Sequence, residues 1–412
     1  MNLVSTSSFR NYWERFPTSL RLIIKVRLWT AIGAGGVLYL NPIIFNSLGF
    51  SASQIGSGIT VAAFTGIATR LGTGYFLDKN YNYGKAIKVA CLIAILSDLI
   101  FFNSQNYPTY FLAQFFLGAA AGIYWPSVEL AVPLNCNNQI KSNEGYAIAR
   151  SADAIGVTLG VLIGTIGTYF QFTRIIYFID ILCMMYLIYI IKIKSNFLKT
   201  DEPFWNENNI KGTNLNSKKL TNFSWIFYLF PLLLLTLFVT GVMTLLQNIL
   251  PLDLANGGIK RPPLTEEIVG LLLTFKLVLI AIIQWPIGYF IRNKKSPFKF
   301  KLCLTSLLVG FIFLAISNVL INGYIFIVIA FLPLTIALCI FLPSASDSII
   351  RSSPIKFRGS AIALYSQCFG ISALTIPWMA GKLIDSYDTA FQLWLVVGLF
   401  CILLIPICKT IK

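Results

Sequence analysis

Charged side chains inside long apolar stretches are the residues of this sequence that could do chemistry. Lys276 lies near the middle of one apolar run, and Arg150 and Asp153 lie three residues apart in another. Ionisable groups at membrane depth are costly and mark ion or solute pathways. Glu129 and Asp347 lie toward the ends of two further runs and could bind a proton or a cation. Because the chain has no His, any proton coupling must use such carboxylates.

The sequence offers no constellation for a metal, a cofactor or enzymatic catalysis. His is absent, and the eight cysteines form no C-x-x-C pair, so we expect neither a metal site nor a disulfide framework. No G-x-x-x-x-G-K-[ST] loop occurs, which disfavours an ATP-driven pump. We therefore expect no cofactor and no enzyme activity.

Composition places most of the chain in lipid. Hydrophobic residues make up 56% of the sequence and charged residues 12%, about half the charged share of a soluble domain. The net charge of +16 does not indicate nucleic acid, because the basic residues lie in short stretches between apolar runs. We expect a monomeric multi-pass protein of the bacterial plasma (inner) membrane, whose partners are the lipid bilayer and a small-molecule substrate.

Twelve apolar runs are long enough to span a bilayer, at about 20 residues each. They lie at 23–47, 52–77, 86–104, 109–133, 145–169, 173–193, 223–250, 266–291, 300–319, 322–349, 359–383 and 388–408. Lipid offers no partner for unpaired backbone groups, so these runs must be helices. The polar segment 194–222 reads as a cytoplasmic linker between two six-helix halves, 1–193 and 223–412. The sequence thus predicts an all-α membrane protein.

The two halves resemble each other at a fixed offset of 214 residues. Residues 74–76, Gly-Tyr-Phe, recur at 288–290, and the Gly-x-Ala-Ile-Ala sequence at 145–149 recurs at 359–363. One offset shared by separate regions indicates that a six-helix unit was duplicated. Internal repeats of this kind are typical of secondary transporters.

The distribution of Lys and Arg predicts the orientation. Two of the 32 basic residues, Arg70 and Lys276, lie within spans, and four lie in the segments on one side of the predicted bundle. The others lie on the second side, if Arg27 and Arg150 are counted with their nearest loops. Cytoplasmic segments carry the excess of basic residues, so both termini are predicted to be cytoplasmic.

The loop between the second and third spans carries a distinctive pattern. Gly74 removes a side chain where another helix could approach, and Asp78 places a negative charge at the membrane surface, followed by basic residues. This pattern resembles the loop signature of the major facilitator superfamily. The resemblance implies that the partner of Asp78 is the start of helix 11. The gating-loop residues predicted in this way are Arg70, Gly74, Asp78, Lys79, Gly84, Lys85 and Arg358.

The resemblance covers essentially the whole chain. It implies two pseudo-symmetric halves around a central path, lined mainly by helices 1, 4, 7 and 10, that opens alternately to each side. It also implies that helices 5 and 8 meet across the halves. We therefore hypothesise that Asp153 and Lys276 interact in at least one conformation. The alternative is an ion pair that stabilises one state and never touches substrate.

Polar residues on the path-lining helices are candidates for the cavity. Two of the sites adjoin the helix breakers Pro42 and Pro251, and proline can free backbone carbonyls toward a path. These sites predict a mostly apolar cavity with scattered hydrogen-bonding groups, suited to an amphiphilic organic molecule. The candidates are Asn41, Gln114, Tyr124, Trp125, Gln247 and Asn248.

The leading functional prediction is drug-efflux-like secondary transport of a small amphiphilic solute, with proton-coupled antiport as one option. Two departures weaken this prediction: Gln114 stands where proton-coupled exporters of the family carry Arg, and Val161 stands where they carry Pro. Uptake or facilitated diffusion of a metabolite is the alternative. A non-transporting membrane sensor or scaffold is a remote third possibility. Arg292 occupies the position equivalent to Asp78, so only the first half is expected to carry an acidic latch.

Overall fold

The computed structural model describes residues 13–50, 52–79, 81–136, 140, 142–170, 172–193, 224–387 and 389–411. Within these ranges the chain forms twelve long helices and no strand. The prediction of an all-α protein with twelve helices is confirmed. The predicted linker, 194–222, lies outside the described residues, so its role stays a prediction.

Six helices form the N-terminal half and six form the C-terminal half. The first six are α1 (Thr18–Ser47), α2 (Ala52–Asp78), α3 (Tyr83–Asn103), α4 (Tyr107–Leu134), α5 (Ser142–Tyr169) and α6 (Ile175–Ile193). Helix α7 consists of Ser224–Thr244, a π-helical turn at Leu245–Ile249 and a short segment at Leu250–Asn256. The others are α8 (Glu266–Ile291), α9 (Ser296–Val319), α10 (Tyr324–Ser352), α11 (Arg358–Tyr387) and α12 (Phe391–Leu404).

In the described part of the chain, eleven of these helices are long and apolar enough to cross a membrane. The exception is α2, whose 27 residues are rich in Gly, Thr and Ala. At 1.5 Å per residue this helix is about 40 Å long, which exceeds a hydrocarbon core of about 30 Å. It packs against α4 and α11. The small residues of α2 therefore serve close packing within the bundle.

Successive membrane helices run in opposite directions, so their ends fall on two faces of the bundle. The start of α1, the end of α12 and the loop between α2 and α3 share one face, which we call the terminal face. The other is the opposite face. The two halves contact each other along two seams, one between α2 and α11 and one between α5 and α8 with α10.

Close contact between α1 and α5 holds the N-terminal half together. Gly156, Gly160 and Gly164 recur every four residues along α5 and face α1. A Cβ atom on Gly160 would lie 2.2 Å from the carbonyl oxygen of Ile32, so this approach requires a glycine. The close approach of the two backbones also brings polar side chains of α1 within hydrogen-bonding distance of side chains of α5.

A buried ion pair fixes the opposite-face end of α7 in the C-terminal half. Arg261 Nη2 donates to Asp253 Oδ1 at 2.9 Å, and Trp394 Nε1 donates to Asp253 Oδ2 at 3.0 Å. Arg261 Nη1 also donates to the Ser317 hydroxyl at 2.9 Å. Since Ser317 belongs to α9 and Trp394 to α12, the network ties α7 to both helices.

Candidate functional site

Four charged side chains, three of them buried and one, Asp153, partly exposed, meet inside the N-terminal half. They are Arg27 of α1, Glu129 of α4, and Arg150 and Asp153 of α5, and we call them the charge cluster. Their helices begin or end at Thr18, Leu134 and Ser142. The charged residues therefore lie roughly 8–16 Å along their helices from the terminal face.

Ion pairs connect all four members of the charge cluster. Arg27 Nε donates to Asp153 Oδ1 at 3.0 Å, and Arg27 Nη2 pairs with Asp153 Oδ2. Glu129 Oε1 accepts from Arg27 Nη1 at 3.2 Å and from Arg150 Nη2 at 2.5 Å. Arg150 Nη1 lies 3.7 Å from Asp153 Oδ2. Two cations and two carboxylates thus balance each other in a site removed from water.

The Glu129 carboxylate is the acceptor that the charge cluster shares. Its Oε1 accepts from both guanidinium groups, whereas no contact of the buried Oε2 meets the distance and angle limits of a hydrogen bond. The Ser346 hydroxyl of α10 also interacts with this carboxylate. Oε2 is therefore the oxygen of the cluster on which a proton would displace no ion pair.

The charge cluster reaches across to the C-terminal half. Arg150 Nη2 donates to the Tyr365 hydroxyl of α11 at 3.5 Å. On the N-terminal side, the Tyr146 hydroxyl donates to the backbone oxygen of Glu129 at 2.9 Å. The Trp125 ring lies 5.7 Å from the Arg27 guanidinium carbon and 6.0 Å from that of Arg150. Arg150 thus links the charge cluster to the interface between the halves.

Sequence reasoning missed Arg27, which it counted with the nearest loop. Arg27 is fully buried, because α1 begins at Thr18, five residues before the predicted start of that span at 23. The earlier start places Arg27 more than two turns inside the helix, about 14 Å from its end. The apolar residues Leu20 and Leu22, which precede the predicted start, were the signal available in the sequence.

Asp78 caps the start of α11 from across the first seam. Its Oδ1 accepts from the Gly359 backbone N–H at 2.7 Å, and its Oδ2 accepts from the Ser360 N–H at 3.0 Å and from the Ser360 hydroxyl. A helix N-terminus has free N–H groups and a partial positive charge, both of which favour a carboxylate. This contact ties the end of α2 to α11 at the terminal face.

The second seam carries an equivalent latch of opposite polarity, which the sequence analysis did not anticipate. Arg292 Nη1 pairs with Glu144 Oε1 at 3.3 Å, joining the end of α8 to the first turn of α5. Arg292 is equivalent to Asp78 at the offset of 214, and Glu144 is equivalent to Arg358. Both members of the second pair have exchanged sign, and this exchange was the signal available in the sequence.

The repeated sequence motifs are the surfaces that meet at the two seams. A Cβ atom on Gly74 of α2 would lie 2.5 Å from the Ala363 Cβ of α11, and one on Gly288 of α8 would lie 2.3 Å from the Ala147 Cβ of α5. Each Gly-Tyr-Phe glycine thus faces the Gly-x-Ala-Ile-Ala motif of the other half. Backbones in contact at these points close the terminal face.

The remaining residues of the predicted gating loop have separate surroundings. Arg70 lies against Gly370 of α11, and the contacts of the Asp78 carboxylate are with Gly359 and Ser360. Lys79 is exposed over the Tyr75 ring. Residues 84 and 85, Gly and Lys, form the first turn of α3, where the Asn82 side chain caps their N–H groups. Arg358 is buried at the start of α11.

The hypothesised contact between Asp153 and Lys276 is absent from this conformation. The Asp153 carboxylate is engaged by the two arginines of the charge cluster, and Lys276 Nζ instead donates to the Leu246 carbonyl oxygen of α7 at 2.8 Å. Side chains lean toward the N-terminus of their helix. Lys276 therefore leans toward the opposite face, away from the charge cluster.

Two of the predicted cavity residues hold helices together within the N-terminal half. Asn41 Oδ1 accepts from the Tyr177 hydroxyl of α6 at 2.5 Å. Gln114 Nε2 donates to the Tyr110 hydroxyl at 3.0 Å, and Tyr110 donates to the Ile55 carbonyl of α2 at 3.1 Å. Both predicted residues are almost fully buried, so their amides are used for packing and do not line an open cavity.

The other predicted residues differ in their exposure. Tyr124 is buried and stacks edge-on against the half-buried Trp125, with ring centroids 5.4 Å apart. Gln247 and Asn248 are exposed on the π-helical turn of α7. Asp347 pairs with Arg351 one turn along α10 at 2.9 Å, near the terminal face. Among the described residues, no group of three His, Cys, Asp or Glu could hold a metal ion.

The latch of exchanged polarity can be tested by reversing its charges. Arg292→Glu alone should weaken closure of the terminal face by about 1 kcal/mol, because two carboxylates then face each other where an ion pair stood. Glu144→Arg alone should act in the same way, and the double variant should restore closure. Distances between spin labels on cysteines introduced at Lys85 and Lys294, which are exposed on the terminal face of each half, report the closure.

Arg351→Glu is the matched control, because the ion pair of Arg351 lies within α10. This variant should leave the label distance unchanged. A double variant that remains as open as either single variant would contradict the latch.

Comparisons with known proteins agree with this geometry. A family model described as Major Facilitator Superfamily matches residues 27–335. A search of curated proteins finds no match. Among solved structures, the Escherichia coli fucose:proton symporter FucP is similar, with 13% identity, a TM-score of 0.71, and alignment over 95% of this chain and 98% of FucP.

A second similar structure is FucP described as a Major Facilitator Superfamily transporter in the outward conformation. It has 13% identity, a TM-score of 0.73, and alignment over 96% of this chain and 99% of that one. At such identity the likeness concerns the fold alone. The family model covers most of the chain, and the twelve helices, the Asp78 loop and the paired seams agree with it. The chain belongs to the major facilitator superfamily.

Proposed function

We propose that this chain is a proton-coupled secondary transporter that moves a small organic solute across the membrane by alternating access. The observation that carries the proposal is the buried Glu129 carboxylate, whose Oε1 alone holds both guanidinium groups of a charge cluster that touches the other half. Such a group can take up a proton in one state and release it in another. The chemistry requires no His.

Protonation of Glu129 would change the balance of the charge cluster. A neutral carboxyl would leave Arg27 and Arg150 with only the Asp153 carboxylate between them, and an uncompensated buried charge is strongly destabilising. Arg150 also donates to the Tyr365 hydroxyl of α11, across the interface between the halves. Uptake of a proton would therefore favour a rearrangement of α5 against α11.

The distribution of contacts between the halves supports alternating access. The hydrogen bonds and ion pairs that join described residues of the two halves lie in the terminal-face portions of α2, α5, α8 and α11. A bundle joined only near one face is closed there. The excess of Lys and Arg in terminal-face segments favours a cytoplasmic terminal face, and under that orientation this state faces outward.

The direction of solute transport depends on whether the proton and the solute move in the same or in opposite directions, and a transport assay decides between the two. Drug-efflux-like export is the direction favoured by the sequence. Proton-driven uptake is the second candidate, and FucP, which has the same fold, is described as a fucose:proton symporter. The packing role of Gln114 weakens the comparison with exporters, which carry an arginine at that position. The bacterial plasma membrane and the monomeric state stay predictions.

Glu129→Gln tests the proton site. The amide imitates a protonated carboxyl, so the variant should lose accumulation driven by a pH gradient and keep solute exchange without a gradient. The measurement uses full-length protein in proteoliposomes that contain a pH-sensitive dye. The solutes are ethidium and rhodamine as amphiphilic dyes, neutral sugars and small carboxylates, each added under an inward and an outward proton gradient.

Asp347→Asn is the matched control for Glu129→Gln. Asp347 is also a buried carboxylate near the terminal face, but it pairs within its own helix, so gradient-driven transport should continue. Equal loss in both variants with lowered thermal unfolding midpoints would assign the effect to general destabilisation, whereas equal loss at the parental midpoint would contradict Glu129 as the single proton site. Metabolite equilibration that ignores the gradient in the unmodified protein would overturn proton coupling.

Asp78→Asn tests the first seam. The amide oxygen keeps one acceptor for the α11 N-terminus but removes the charge, and the exchange of a charged for a neutral hydrogen bond costs about 1 kcal/mol. We expect slower transport at an unchanged thermal unfolding midpoint. An unchanged transport rate in the same proteoliposomes would remove Asp78 from the mechanism.

A further inference from the structure

Lys276 is a buried cation that lacks an acidic partner among the described residues. It is 8% exposed, and its only hydrogen bond to a described residue is the one donated by Nζ to the Leu246 carbonyl oxygen at 2.8 Å. An ammonium group has three N–H donors, so two remain unused. A full charge at membrane depth is costly without a counter-charge.

The contact with Leu246 has a structural explanation that does not require a charge. The Leu250 N–H bonds to the Leu245 carbonyl in the π-helical turn, so the Leu246 carbonyl would next pair with residue 251. That residue is Pro251, which has no N–H. Leu246 is thus left with an orphaned carbonyl, and Lys276 satisfies it. A neutral donor such as a glutamine amide would serve equally well.

The surroundings of Lys276 are suited to a polar ligand. Gln247 and Asn248 directly follow Leu246, and both are exposed on the same π-helical turn. Asn248 Nδ2 donates to the Thr244 carbonyl at 3.2 Å, and Gln247 forms no hydrogen bond with a described residue. π-Helical turns are frequent at functional sites. Two amides therefore adjoin the helix position that Lys276 contacts.

Arg70 is a second buried cation in the same situation. It is 9% exposed, and no hydrogen bond or ion pair joins it to a described residue, although its Nη1 lies close to Gly370. Arg70 belongs to the α2–α11 seam and Lys276 to α8 of the other seam. Excess positive charge at both seams attracts anions and repels cations.

We propose that the Lys276 ammonium binds the anionic group, a carboxylate or a phosphate, of the transported solute, with the amides of Gln247 and Asn248 as hydrogen-bonding neighbours. The proposal rests on the transport function above and names the substrate class, an organic anion. The anionic group of the ligand supplies the counter-charge that no described residue provides to Lys276. Cationic dyes, which many drug exporters carry, are excluded from such a site.

Binding to purified full-length protein tests the proposal without requiring transport. The readout is the thermal unfolding midpoint in detergent during titration with butyrate, benzoate, succinate or glucose 6-phosphate. Butyramide, benzamide, succinamide and glucose are the neutral counterparts. Inorganic phosphate and acetate separate the two anionic groups. We expect at least one organic anion to raise the midpoint in a saturable manner, and its neutral counterpart to have no effect.

Lys276→Gln separates the charge from the structural hydrogen bond. The amide can still donate to the Leu246 carbonyl, so the variant should unfold at the parent midpoint without ligand and bind the anion about 10- to 100-fold more weakly. Lys276→Arg should retain binding. The matched control is Lys294→Gln, which removes an exposed basic residue at the terminal face and should bind as the parent does.

Pro251→Ala keeps the test decisive if Lys276→Gln unfolds. Alanine at position 251 supplies the missing N–H to α7, so the Leu246 carbonyl no longer needs a hydrogen bond from Lys276. The double variant with Lys276→Met should therefore fold but not bind anions. The proposal is overturned if no organic anion stabilises the parent, if neutral counterparts stabilise it equally, or if Lys276→Gln binds with parental affinity. Gradient-driven transport of a neutral solute in that case would leave the proposed function intact.

Discussion

A charge buried in a lipid-embedded bundle needs a partner, and the arrangement of this molecule depends on that constraint. Arg27 is fully enclosed, which is possible because Glu129 and Asp153 approach it from two other helices. Their approach requires α1 and α5 to touch at their backbones, which the glycine stripe of α5 permits. At the terminal face, the N–H groups of α11 take the place of a cation for Asp78. The packing of helices within the N-terminal half and the contact between the halves thus both provide partners for charges that would be costly without them.

Duplication explains why the contacts between the halves come in pairs, and divergence explains why the pairs differ. Each Gly-Tyr-Phe motif meets the Gly-x-Ala-Ile-Ala motif of the other half, so one packing solution is used twice. The charges at the ends of the seams differ between the copies. Arg292 replaces the acid of the first copy, and its partner Glu144 stands where the second copy has Arg358. The second seam thus has an ion pair where the first has a carboxylate at a helix N-terminus.

The helices could be predicted well from the sequence, because an apolar run is a property of neighbouring residues in the chain. The partners of the side chains could be predicted only in part, because they depend on how the helices pack. Each of the twelve helices overlaps one predicted apolar run, and Asp78, the last residue of α2, contacts the start of α11 as the family loop implies. Asn41 and Gln114 could not be placed, since an amide on a path-lining helix can equally well face a neighbouring helix. Arg27 was lost to an error of five residues in one helix boundary.

The degree of charge compensation distinguishes side chains that serve the fold from side chains that serve transport. Arg261 meets Asp253, Ser317 and a carbonyl, which leaves little for a ligand to add. Lys276 meets one carbonyl that a neutral donor could satisfy. A lysine is the costlier choice for that purpose, because its ammonium group must be removed from water with no counter-ion. A buried lysine is therefore expected where its positive charge has a function. At Lys276 no described residue neutralises that charge, which leaves it available to a ligand.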